Sequence, residues 1–79
     1  MNNLPPLEDY QIILTLTIPG STREVIERYL SDPSGFKEKV SEAMFLNGSN
    51  EESKNILNDF FTLKTIHQNY ISEIIEYKK

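Results

Sequence analysis

The sequence has no cysteine and no tryptophan, only three glycines and a single histidine. Without cysteine there is no disulfide and no thiolate metal site, so no covalent staple supports the fold. The three glycines form no phosphate-cradling loop, and the serines show no nucleophile elbow. No apolar run approaches the roughly 18 residues of a membrane span, and no basic region followed by a long apolar run opens the chain, which predicts a soluble cytoplasmic protein without a secretory leader. Positive charge is also scarce. Eight Lys and Arg face twelve Asp and Glu, for a net charge of −4, and the basic residues are scattered except for Lys78-Lys79, which weighs against a nucleic-acid footprint. At 79 residues the chain is one domain, and a single core of this size contributes only ~3–5 kcal/mol of net stability. Oligomerisation is the remaining way to add to it.

Tyr10 to Ile18 is the stretch that reads most firmly as a β-strand. Tyr10, Ile12, Leu14, Leu16 and Ile18 alternate with Gln11, Ile13, Thr15 and Thr17, the period-2 pattern of a half-buried strand, and Pro19-Gly20 ends it. No second segment is an obvious partner, and a lone strand leaves its backbone groups unpaired. The expectation is a strand over 10–18 paired with its copy in a homodimer. Residues 1–9, with Pro5-Pro6 and no periodicity, read as a flexible arm.

The rest is helical by pattern. Ser21-Thr-Arg-Glu24 is a capping box opening a helix over 22–31, with Val25, Ile26, Tyr29 and Leu30 as its stripe and Glu24 paired to Arg28. Asp32-Pro33 supplies a break and a fresh N-cap for a helix over 33–46, ended by Asn47-Gly48. Ser49-Asn-Glu-Glu52 repeats the box and opens a long helix over 50–77. Ile56, Phe60, Leu63, His67, Tyr70, Ile74 and Tyr77 recur there at 4-3 spacing as a coiled-coil-like seam, broadened by Leu57, Phe61, Ile66, Ile71 and Ile75. About 28 residues would span ~42 Å, more than the ~30 Å of a compact chain this size, so the helix either breaks, with 60–66 the expected weak point, or protrudes onto a partner. The fold class expected is mostly α with one β-strand, in the order strand, helix, helix, long helix.

The single histidine, His67, lies on the seam, and its neighbours three and four residues away (Leu63, Lys64, Tyr70, Ile71) include no carboxylate and no second ligand. This predicts a packed or interfacial imidazole, with no catalytic residues, no metal and no cofactor. The aromatic residues lack the interleaved basic residues of a base-stacking platform.

Strand, helix, turn and helix over Tyr10 to about Gly48 resemble in layout the ribbon–helix–helix family of DNA-binding dimers. That resemblance implies a ribbon of paired strands in the major groove, with Gln11, Ile13, Thr15 and Thr17 at the bases, and the activity of a transcriptional repressor or antitoxin. No Lys or Arg lies on the strand, and Glu8-Asp9 precede it. The reading placed first is therefore a non-enzymatic regulatory protein that self-associates and binds a protein partner, its interface drawn from Ile12, Leu14, Leu16, Phe60, Leu63, His67, Tyr70 and Ile74.

Overall fold

A strand without a partner in its own chain strands a row of N–H and C=O groups, whereas a helix pairs them within itself. The computed structural model, which describes residues 4–79, takes the second course. Five α-helices and no strand are present among the described residues: α1 Leu7–Ile13, α2 Gly20–Ser31, α3 Pro33–Phe45, α4 Glu51–Asn69 and α5 Ile71–Lys78. The expected class with one β-strand is thereby corrected to all-helical, and no strand is available for pairing across a dimer.

The helical alternative is visible in what α1 buries. Asp9, Tyr10, Ile12 and Ile13 all turn inward, a three- and four-residue spacing that a two-faced strand, with Ile12 and Ile13 on opposite sides, cannot produce. Pro6 precedes the helix and Glu8 and Asp9 occupy its first turn, where carboxylates complement the helix dipole. The expected arm over 1–9 therefore already contains the start of a helix, and Leu4 packs against the core; residues 1–3 lie outside the described residues. Alternation survives only beyond α1, where Leu14, Leu16 and Ile18 are half-buried and Thr15 and Thr17 exposed.

Helix α2 starts at Gly20 after Pro19, with no side-chain cap, so the Ser21–Glu24 box is not used. The expected Glu24–Arg28 pair remains as a charge attraction, while the hydrogen bonds of Arg28 go to another helix. Arg28 donates from Nε and Nη2 to the two carboxylate oxygens of Asp59 on α4, at 3.2 and 3.0 Å. The Asp32-Pro33 start holds, with the Asp32 carboxylate accepting from Gly35 N at 3.1 Å. Asn47 and Gly48 both have positive φ, 58° and 66°. Asn47 N donates to Met44 O and Gly48 N to Ala43 O, each at 3.1 Å, the paired bonds of a Schellman C-cap. At α4 the cap is Asn50, accepting from Ser53 N at 2.8 Å, one residue later than the expected Ser49.

The long helix breaks, but not at 60–66, which is helical. It breaks at Tyr70, with φ −116° and ψ 15°, after 19 residues or about 28 Å of α4. Helix α4 is the common wall. α2 and α3 pack against it, and α5, which continues beyond it, meets α1. Tyr10, Ile13, Ile26, Tyr29, Phe60, Leu63 and Val40 are fully buried at the centre. Edge-on ring contacts run from Tyr10 to Tyr29 at 5.6 Å and from Tyr29 to Phe36 at 5.2 Å, joining α1, α2 and α3.

The exposed Gln11 in the middle of α1 separates the two conformations in solution. Gln11→Ala should be more stable than Gln11→Val by about 0.5 kcal/mol, the helix order. A strand reverses that order, so a urea melt in which the Val variant is the more stable contradicts α1.

Candidate functional site

A cluster of interacting charges that joins three helices is built around Asp9. The first turn of α1 turns this carboxylate inward against α4 and α5, where its side chain is 8% exposed. Oδ2 lies 2.7 Å from His67 Nε2 and Oδ1 2.6 Å from Lys78 Nζ, and Glu8 reaches the same ammonium at 3.4 Å. An ionised carboxylate only accepts, so Nε2 of His67 carries the proton it shares. The next residue, Tyr10, is fully buried and donates its hydroxyl to the carbonyl of Leu63 at 2.7 Å. Two consecutive residues of α1 thus fasten it to α4, and one of them fastens α5 as well.

Burial pushes the Asp9 carboxyl upward. The hydrogen bonds and positive charge of Lys78 and the contact with His67 outweigh it and hold the group below its ordinary value. The Lys78 ammonium is held above its ordinary value, first by its hydrogen bond to Asp9. Burial, then the neighbouring Tyr29 and Asp9, push the Tyr10 hydroxyl upward.

His67 therefore has the carboxylate that its three- and four-residue neighbours on α4 lack, supplied from 58 positions earlier in the chain. No local spacing could reveal it; a single inward-facing Asp in the first turn of an amphipathic segment was the available signal. The arrangement fixes an imidazole and an ammonium on one carboxylate, and both oxygens of that carboxylate are occupied, so it works as a clasp between helices. No group of three or more His, Cys, Asp or Glu that could hold a metal is present among the described residues. A groove of about 250 Å³ lies among Arg28, Phe36, Lys39, Ile56 and Asp59, smaller than the ~300–1,000 Å³ of typical ligand pockets. No helix among the described residues is long and apolar enough to cross a membrane.

Of the residues expected at an interface, Ile12, Phe60, Leu63 and Ile74 are buried in the chain's own core. Leu14, Leu16, His67 and Tyr70 are half-buried. Of the residues that the ribbon–helix–helix resemblance would place at DNA bases, Gln11, Thr15 and Thr17 are exposed and Ile13 is fully buried. They lie on α1 and the segment after it, so they form no ribbon. The apolar side chains left outside are others: Phe45 (88% exposed), Tyr77 (64%), Phe61 (57%), Ile75 (56%) and Ile71 (44%). Phe61, Ile71 and Ile75 are the residues that make the stripe of the long helix too wide for one buried face, and that excess width was their signal.

No protein-family model matches the chain, and neither a curated protein nor a solved structure does.

The clasp makes a pH-dependent contribution. A carboxyl held below its ordinary value stabilises the fold fully above about pH 4 and ceases to as pH falls through its lowered folded value. Asp9→Asn should cost about 2 kcal/mol at pH 7 and flatten the acid limb of the stability curve. Urea melts from pH 2 to 7 check this; an unchanged acid limb in the variant contradicts the clasp.

Proposed function

We propose that the chain is a small non-enzymatic interaction protein of the cytoplasm, which self-associates and binds a protein partner through apolar helical surface. The observation that carries the reading is the group of large apolar residues that remains outside a core already filled by this chain. Ile71 and Ile75, four residues apart, share one face of α5, and both are exposed, as are Phe61 on α4 and Tyr77 at the end of α5. Isolated exposed apolar residues are common on any surface. A helix of eight residues that presents Ile71, Ile75 and Tyr77 while Ile74 alone reaches the core is apolar beyond what folding requires. Burying the half of each isoleucine that is still exposed contributes about 0.7–1.5 kcal/mol, enough for two or three such residues to decide an association.

The test separates association from folding. In Ile71→Ser/Ile75→Ser both substitutions fall on exposed positions, so the melting temperature should shift by no more than a few degrees. Self-association measured by light scattering across 1–500 μM should weaken at least tenfold, an effect size set by the loss of about 1.4 kcal/mol or more. A wild-type chain that stays monomeric over this range, or a variant that associates as well as wild type, contradicts the self-association half of the proposal.

A further inference from the structure

The break that separates α4 from α5 falls where the sequence has no strong helix breaker. Sharp breaks are usually found at Pro, at Gly or where something is inserted into the helix ladder, yet Gln68-Asn-Tyr-Ile-Ser72 contains neither Pro nor Gly. The 4-3 spacing of Phe60, Leu63, His67, Tyr70, Ile74 and Tyr77 runs straight through it, as in one uninterrupted helix. A single residue, Tyr70, leaves helical geometry, and its N–H still reaches both the Ile66 and His67 carbonyls at 3.2 Å. What holds α5 in place is tertiary: Ile74 in the core, and Lys78 on Asp9 at 2.6 Å and on Glu8 at 3.4 Å.

We propose that α5 is exchanged between two copies of this chain. Tyr70 becomes helical, α4 and α5 join into a single helix, and α5 of each copy docks on α1 and α4 of the other. Ile74 enters the slot it fills in the monomer, and Lys78 reaches Asp9 of the other copy. Every contact broken on opening is remade in the pair, so the balance rests on the hinge and on the association itself, which is what makes such exchanges a low-cost route to a dimer. His67 precedes the hinge and stays on Asp9 of its own chain. The inference rests on the self-association proposed above and names its geometry: the occupant of the α1 surface is α5 of a second copy, and the two straightened helices cover the exposed Ile71 and Ile75, next to the hinge, against each other.

Because the chain has no cysteine, single thiols report the geometry without background. E8C and K78C chains are mixed in equal amounts, oxidised mildly, and resolved by mass on a non-reducing separation, with light scattering of the same samples and of wild type. Each chain carries one thiol, so every covalent dimer is intermolecular. Exchange places positions 8 and 78 of different chains together, and the mixed E8C–K78C dimer should exceed either like-with-like dimer at least fivefold. A second arm keeps Lys78: Tyr70→Ala and Tyr70→Gly both remove the ring, but Ala favours the straight helix about fivefold per hinge, so with two hinges the dimerisation constant should be about 25-fold larger for Ala. Dimers by light scattering without preferential mixed cross-linking, or with equal constants for the Ala and Gly variants, overturn exchange and leave self-association standing. Chains that are monomeric throughout overturn both.

Discussion

A carboxylate that is taken out of water must be given partners, and Asp9 is such a carboxylate. An unpaired buried charge costs several kcal/mol, comparable to the whole net stability of a domain this size (~3–5 kcal/mol). Asp9 meets that demand only when α1, α4 and α5 come together, since His67 and Lys78 sit on different helices from it and from each other. Beyond the break at Tyr70, α5 brings the second cation to the carboxylate and Ile74 to the core. Tyr10 adds the apolar half of the same joint, with a ring among Tyr29 and His67 and a hydroxyl on the Leu63 carbonyl.

Once this joint is closed, the seam of α4 is used up inside the chain. Phe60 and Leu63 are buried in one cluster with Tyr10, Ile13, Ile26 and Tyr29 of the same molecule, so the residues free to meet another protein are those just off the seam. The functional proposal follows from this division. Core and surface of one amphipathic stretch are separated by about one helical position, and that shift decides which residues can serve an interface. The same stretch also carries the hinge, so the surface offered depends on whether Tyr70 is bent or helical.

Much of the middle of the chain was legible in the sequence because its signals are local. Asp32-Pro33 stops one helix and starts the next through one carboxylate and one ring, and Asn47-Gly48 ends a helix because both residues adopt a left-handed backbone. The first segment was misread because Tyr10 to Ile18 satisfies two periods at once. Alternation runs over nine residues with Ile13 its one exception, while Asp9, Tyr10, Ile12 and Ile13 also make one face of a short helix. The want of a partner strand within the chain was the deciding clue, and it argues for a helix as readily as for a dimer. The Asp9 clasp was beyond local reading, since its partners are 58 and 69 positions away. So was the break at Tyr70, which has no Pro or Gly of its own.

The Asp9 carboxyl can be observed directly. With ¹³C-labelled protein, the side-chain carboxyl shift of Asp9 followed through a pH titration by NMR reports its folded-state midpoint, and the Lys78 and His67 side chains can be followed in the same samples. A clasp between α1, α4 and α5 predicts a midpoint below the ordinary Asp value of about 3.9. A midpoint at or above that value would mean that the carboxylate is either solvated or buried without its cations, and the closure of the chain on Asp9 would be wrong.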